Sequence, residues 1–297
     1  PPPPPPPPPV SSNFFRGDVF AEIISLENLF LAWREFKKGK IKKPDVQEFE
    51  FNLEENIFQL HEELKSRAYQ HSKYQAFYIT DPKLRHIHKA CVRDRVLHHA
   101  IFRVLYLIFD PTFIFDSYSC RRGKGTHWAV KRLKESAKTL SRNNHRNIFA
   151  LKCDVKKFFD SVDHRVLTSL IQRKVKGENA NWLIGKIIKS FEKEPSRGLP
   201  IGNVTSQLFA NIYLNELDRY IKHELKARYY IRYCDDFVIL GSSYDGLAGF
   251  VARIHKFLKH RLRLFLHPGK VIIRKYWQGI DFLGYVIRPT CVTLRTR

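Results

Sequence analysis

Apolar positions along this chain recur with two different periods, and the switches between them mark its elements. Leu26, Leu29, Phe30, Trp33 and Phe36 repeat at helical spacing, which predicts an amphipathic helix closed at Gly39. Phe49, Leu53, Ile57, Leu60 and Leu64 predict a second helix, with Pro44-Asp45 separating the two. Tyr69 to Thr80 and Leu84 to His88 read as short strands broken at Asp81-Pro82. Apolar pairs at helical spacing fill the stretch from Asp94 to Phe109, which predicts a well-buried helix stopped by Asp110-Pro111. A further helix begins near Thr126, a strand covers 148 to 155, and helices fill roughly 163 to 193. Residues 198 to 205 read as a loop, and Leu208, Ile212, Leu217, Ile221 and Leu225 mark the next helix. Two β-rich runs follow at 229 to 232 and 237 to 240, then a helix near 246 to 260. Short strands are expected near 262 to 267, 271 to 275 and 281 to 287. Helices first, then strands and helices sharing a sheet, give an α+β fold. No internal repeat is visible.

The chemistry enters between the two β-rich runs, at Tyr233-Cys234-Asp235-Asp236. Adjacent Asp residues are unfavourable in strands, because each lowers β-propensity and the two repel. A divalent cation removes that repulsion. Asp154, at the end of the 148 to 155 strand, supplies a third carboxylate. Three carboxylates from two strands suit a pair of Mg²⁺ ions, with Mn²⁺ as a substitute.

Charge narrows the class of partner. The chain has 52 Lys and Arg against 29 Asp and Glu, a formal net charge of +23. Such an excess repels itself unless a polyanion is bound, which points to nucleic acid. The five cysteines, at 91, 120, 153, 234 and 291, form no C-x-x-C pair, so structural zinc is not expected and reduced cytosolic thiols are. The apolar run from Ile101 to Phe109 is interrupted by Arg103 and is too short to span a bilayer. No membrane partner and no signal peptide are expected. Pro1 to Pro9 is a homopolymer expected to form exposed polyproline II or to stay disordered, and the chain has no Met. Together these suggest a processed or incomplete sequence.

At this point the motifs resemble a family. Cys153-Asp154-Val155-Lys156-Lys157-Phe158-Phe159-Asp160 and Tyr233-Cys234-Asp235-Asp236 are similar to the two metal motifs of reverse transcriptases. Arg85, Ile87 and Asp94-Arg95-Val96 resemble that family's fingers motif. Asp116-Ser117-Tyr118 with Arg122-Gly123-Lys124-Gly125-Thr126-His127 resembles the next one. The stretch from Gly198 to Gln207 resembles the template-contacting motif, and His267-Pro268-Gly269-Lys270 and Phe282-Leu283-Gly284-Tyr285 resemble the last palm motifs. The match runs from about residue 80 to 288, and its specificity lies in the order of the motifs.

The resemblance implies a right-hand polymerase: a Pro-rich N-terminus over 1–20, fingers with part of the palm over 21–147, an antiparallel-sheet palm over 148–288, and the start of a thumb or a linker over 289–297. The thumb is expected to be absent or truncated. Asp154, Asp235 and Asp236 would be catalytic, holding metal together with the Val155 backbone. Lys270 would donate a proton to pyrophosphate. Arg85 and Lys83 would bind the incoming triphosphate, and Phe159 would exclude a ribose 2′-hydroxyl, unless Phe159 is a core aromatic. Ile201, Gly202, Ser206, Gln207, Tyr233, Arg122, Lys124, Phe282, Leu283 and Gly284 would contact template or primer.

Intron-type enzymes of the family usually carry Gln before Gly202 and Pro after Ser206. Here those places hold Ile201 and Gln207, a pattern that resembles the reverse transcriptases of diversity-generating retroelements. The resemblance implies cDNA synthesis from a template RNA with errors at adenines, in the cytoplasm of a prokaryotic host. The implied partners are template RNA, a DNA or RNA primer, dNTPs and a small basic accessory protein. Two alternatives stand beside it: an antiviral-defence, retron or intron-like reverse transcriptase, and a non-catalytic polymerase-like RNA-binding scaffold.

Overall fold

Local chemistry sets the first elements. Asp18 accepts the Phe20 N–H at 2.9 Å and starts α1 (Val19–Ile24). Ser25 ends α1 and caps α2 (Leu26–Phe36) by accepting the Asn28 N–H at 3.2 Å, a bond worth about 1 kcal/mol. Pro44 opens α3 (Pro44–Phe51), where its missing N–H costs nothing. The chain continues through α4 (Leu53–Lys65), β1 (Gln75–Ile79), β2 (Arg85–Lys89), α5 (Val92–Phe109), α6 (Thr126–Leu140) and β3 (Phe149–Asp154). Then come α7 (Phe158–Ser161), α8 (His164–Gln172), α9 (Glu178–Lys189), α10 (Val204–Arg219), β4 (Tyr229–Tyr233), β5 (Asp236–Gly241) and α11 (Tyr244–Phe257). The strands β6 (Ile272–Lys275), β7 (Ile280–Phe282), β8 (Tyr285–Ile287) and β9 (Val292–Leu294) complete it. This computed structural model describes residues 17–80 and 84–296. The polyproline tract, Asp81-Pro82 and Lys83 lie outside the described residues.

Two compact units share the chain. One holds the residues up to Thr112 with Thr168–Phe191 and Pro200–Leu208; the other holds Phe113–Leu167, Glu192–Leu199 and the residues from Phe209 onward. In the first unit, α2 packs on α5 through Leu29, Trp33 and Phe36, all buried. Each such side chain contributes roughly 1.5–3 kcal/mol. Asp94 of α5 is fully buried and accepts bonds from the Tyr69 hydroxyl (2.9 Å) and the Ser72 N–H (2.8 Å). His98, one turn along, meets His71 through their Nε2 atoms at 3.2 Å. The strands β1 and β2 form an antiparallel hairpin.

In the second unit, a four-stranded antiparallel sheet has the order β4-β5-β3-β6. Strand alternation divides its side chains between two faces. Ala150, Val238 and Leu240 pack with Ala129, Leu133 and Ala137 of α6, a cluster that also takes in Phe282 and Ile287. Leu151, Cys153, Phe237 and Ile239, on the alternate positions, are fully buried as well. The strands β7, β8 and β9 form a separate antiparallel sheet.

Two expectations from the sequence change. The helix expected from Phe49 to Leu64 is two helices, broken at Asn52 (φ −114°, ψ 44°), and Pro44-Asp45 starts the first of them. No strand covers 262 to 267: the chain runs on from α11 in a π-helical turn to Leu262, reverses at Arg263 (φ 52°), and only Leu266 bridges to Val155. The stretch 289–297 contains β9. Among the described residues no helix is long and apolar enough to cross a membrane.

Burial holds His98 neutral, with its pKa depressed to about 3, and His71 beside it pushes the same way. The unfolded chain takes up this proton below about pH 6.5 and the folded chain does not, so stability is full above that pH and falls below it. His98 alone should remove roughly 2 kcal/mol between pH 7 and pH 5. Urea unfolding at the two pH values checks this. The His98→Gln protein should lose that part of the pH dependence, and an unchanged dependence would contradict the assignment.

Candidate active site

The acidic hairpin is closed by the shortest of connections. Tyr233 pairs with Asp236, leaving Cys234 and Asp235 as a two-residue turn. Such turns need positive φ at the first position, where glycine is usual. Here Cys234 holds φ 54°, a conformation costing a non-glycine residue about 1–2 kcal/mol. The surroundings therefore have to hold it.

Strand β3 brings the third carboxylate. Its antiparallel register with β5 sets Asp154 opposite Asp236. The Val155 N–H donates to the Asp235 carbonyl at 3.3 Å, which ties the turn to the end of β3. The 267–270 turn is hung on the same end: the His267 N–H donates to the Asp154 carbonyl at 2.8 Å, and Lys270 Nζ lies 2.9 Å from Asp154 Oδ2. Lys152, two residues before Asp154, places its Nζ 3.5 Å from Asp236 Oδ2.

These carboxylates are crowded. Burial, reinforced by Asp154 and Asp235, pushes Asp236 up to about 7 although Lys152 opposes the rise. Asp235 is raised too, first by burial and then by Asp154. Burial likewise pushes the Cys153 thiol up to about 12. Asp236 Oδ1 is buried without a hydrogen-bond partner. Unmatched negative charge of this kind fits a cation, and hard oxygen donors suit Mg²⁺ or Mn²⁺. Among the described residues no three His, Cys, Asp or Glu side chains converge on one point as they stand. Asp154 is instead held by the Lys270 ammonium.

Other predicted residues distribute between the units. In the second unit Phe158 is buried against Tyr213 (centroids 6.3 Å apart), while Phe159 is only partly buried, so the core role falls to Phe158. Leu283 (φ 55°) and Gly284 (φ 85°) form the turn between β7 and β8. Phe282, expected to contact primer, is fully buried in the cluster beneath that sheet. Arg122 is exposed, Lys124 lies over the rings of Phe115 (3.7 Å) and Tyr118 (4.7 Å), and Tyr233 is partly buried.

In the first unit Arg85 opens β2 with an exposed side chain, opposite Ile79. The Ile201 carbonyl accepts the His88 N–H at 3.1 Å, and Asn203 Nδ2 donates to the His88 carbonyl at 3.0 Å. Gly202 (φ 112°) sits so near this strand that a Cβ there would meet Ile87 Cγ2 at 3.0 Å. Gln207 is exposed and Ser206 is buried. A cavity of about 300 Å³ is lined by Gly202, Gln207, Lys40, Lys43, Lys89 and Arg95 among others. Asp45 offsets two of those cations, at 2.6 Å from each of Lys89 and Arg95.

Lys152, Arg232 and Asp218 were missed by sequence reasoning. For Lys152 and Arg232 the available signal was a charged residue inside an otherwise buried strand, which requires a partner; Asp218, in α10, gave none.

Residues 79–287 match the family described as reverse transcriptase (RNA-dependent DNA polymerase). Protein YkfC of Escherichia coli (strain K12) is 27% identical over 269 residues, covering 76% of this chain and 69% of that protein. The group II intron-encoded protein LtrA of Lactococcus lactis subsp. cremoris is 25% identical over 307 residues, covering 79% and 50%. Among solved structures, apo telomerase from Candida tropicalis matches with a TM-score of 0.56 at 13% identity, covering 76% of this chain and 49% of that one. The chain thus spans about half the length of LtrA and of the telomerase.

Asp236 supplies a test independent of catalysis. Its raised pKa means that folding opposes its ionisation, so without cations the cost appears as pH rises above about 4 and is complete above about 7. At pH 8 in EDTA, Asp236→Asn should stabilise the fold by about 1–3 kcal/mol. The gain should vanish at pH 4. Equal or lower stability of the variant at pH 8 would contradict the crowding.

Proposed function

This chain belongs to the reverse transcriptase (RNA-dependent DNA polymerase) family, and from that premise we propose which residues carry its chemistry and what it copies. Its enzyme class is RNA-directed DNA polymerase. We read residues 21–147 as fingers with part of the palm and 148–288 as palm. The observation that carries the proposal is the register that sets Asp154 opposite Asp236 with Asp235 in the adjoining turn. Asp154 and Asp235, with the Val155 main chain and the unpartnered oxygen of Asp236, would hold Mg²⁺. Bound Mg²⁺ would lower the pKa of a primer 3′-hydroxyl and neutralise the leaving pyrophosphate.

The chain's own residues do the rest. Lys270, once released from Asp154, carries a proton for the pyrophosphate. Arg85, joined by Lys83, grips the triphosphate with donors suited to phosphate oxygens. Phe159 is left outside the core by Phe158 and bars a 2′-hydroxyl. Ile201, Gly202 and Gln207 meet the template, and the cationic lining of the neighbouring cavity supports a strand of phosphates there. Arg122, Lys124, Tyr233, Leu283 and Gly284 contact the template–primer. A small basic accessory protein assists RNA binding.

The direct assay is Mg²⁺-dependent extension of a DNA primer on an RNA template. Asp235→Asn should lower it by about a thousandfold or more, with RNA binding retained. Near-normal extension by that variant would end the assignment.

Within the family we place the chain with diversity-generating retroelements, on the strength of Ile201 where intron-type enzymes carry Gln. An aliphatic side chain cannot hydrogen-bond a nascent pair, which weakens discrimination. Sequenced cDNA should carry errors chiefly opposite template adenines, and Ile201→Gln should reduce them severalfold. Uniformly low error in the wild type would remove this subtype. Adenine errors unchanged by the substitution would reject the role of Ile201.

A further inference from the structure

Arg232 stands two residues before Cys234, on the strand that leads into the acidic turn, with none of its side chain exposed. A guanidinium has five N–H donors, and here every one meets an acceptor. Nε donates to Asp218 Oδ1 at 2.7 Å, and one terminal nitrogen donates to Asp218 Oδ2 at 2.6 Å and Ser117 Oγ at 3.0 Å. The other donates to Asn211 Oδ1 and to the Cys234 carbonyl, both at 3.2 Å. Asp218, equally buried, also accepts the Tyr230 hydroxyl at 2.7 Å. Asn211 is itself fixed by donating to the Ser119 carbonyl at 2.9 Å. The Arg232 backbone is clamped as well: its N–H donates to the Asp116 carbonyl (3.0 Å), and its carbonyl accepts the Tyr118 N–H (2.9 Å).

A buried ion pair needs a reason. An apolar pair of similar volume anchors a helix to a sheet as well as an ion pair does, and often better. What apolar side chains cannot do is donate to the carbonyl of Cys234, the residue held at φ 54°. That carbonyl belongs to the peptide that enters Asp235, and the Asp235 carbonyl is tied on its far side by the Val155 N–H. The turn is therefore gripped on both flanks of the carboxylate that has to stay beside Asp154.

We propose that Arg232, backed by Asp218, is the positioning residue for Asp235: its guanidinium holds the strained Cys234 peptide so that the cation-binding carboxylate is fixed before any cation arrives. This rests on reading Asp154 and Asp235 as a cation-binding pair. The role is carried by geometry, so a lysine at this position fails in spite of its charge. A lysine ammonium is a compact point charge that cannot span Asp218, Asn211 and the Cys234 carbonyl together.

The test uses the full chain and Mn²⁺ as the probe, titrated by electron paramagnetic resonance, with Asp235→Asn as the baseline. Two variants are compared: Arg232→Lys, and the double substitution Arg232→Met with Asp218→Leu, which leaves no orphaned buried charge. Circular dichroism and thermal melting establish that each is folded. The expected result is a folded protein whose Mn²⁺ affinity falls five- to twentyfold towards the baseline. A folded variant that binds Mn²⁺ like the wild type overturns the positioning role and leaves the cation site intact. A wild type that binds Mn²⁺ no better than Asp235→Asn overturns the cation reading and this proposal with it. Failure of both variants to fold would make the pair a folding element and remove the proposal equally.

Discussion

Like-charge crowding at one end of the four-stranded sheet is the constraint around which the second unit is arranged. Asp154 and Asp236 are set opposite each other by strand register, and Asp235 follows in a two-residue turn. Two unit charges about 5 Å apart repel by roughly 3 kcal/mol at the effective dielectric of a protein surface. Hydrogen bonding of the strands fixes the spacing, so the repulsion cannot be relieved by moving apart. It is offset from the sides instead. Lys270 meets Asp154 and Lys152 meets Asp236, each on a different element or register position.

The same arrangement relates stability to function. The two lysines supply positive charge where the proposed chemistry needs a divalent cation, so the carboxylates stay close without it. Lys270 is held by the short 268–270 helical turn, whose preceding N–H is bonded to the Asp154 carbonyl. On the proposed reading, a lysine displaced from its carboxylate by a cation would stay beside the reacting phosphates, with its proton. Beneath the turn, the Arg232 guanidinium donates to the carbonyl of Cys234, where the backbone holds φ 54°. In the first unit, separately, the 201–203 loop is clipped to β2 by main-chain and amide bonds, which fixes the backbone beside a cationic cavity.

Much of this was legible because it is local. The hairpin at 229 to 241, the β3 strand and the helices α2, α5 and α6 follow from periodicity and punctuation within a few residues. The break at Asn52 was hidden because apolar spacing continued across it. The strand expected at 262 to 267 failed because alternation there is overridden by the reversal at Arg263. Long-range partners were not legible at all. Arg232 looked like one polar position in an apolar run, and nothing in the sequence pointed to Asp218 across the intervening helix end and turn. Lys152 and Asp236 are 84 residues apart (236 − 152) and meet only through strand pairing. Motif likeness also gave no burial: Phe282 and Ser206 both turn out to be buried.

On the proposed reading the acidic hairpin is a cation site now held by lysines. Anomalous diffraction from crystals soaked in Mn²⁺ tests it most directly. A peak between Asp154 and Asp235, with Lys270 withdrawn from Asp154, is the predicted result. Anomalous density absent from this hairpin at saturating Mn²⁺, with Lys270 still paired to Asp154, would contradict it.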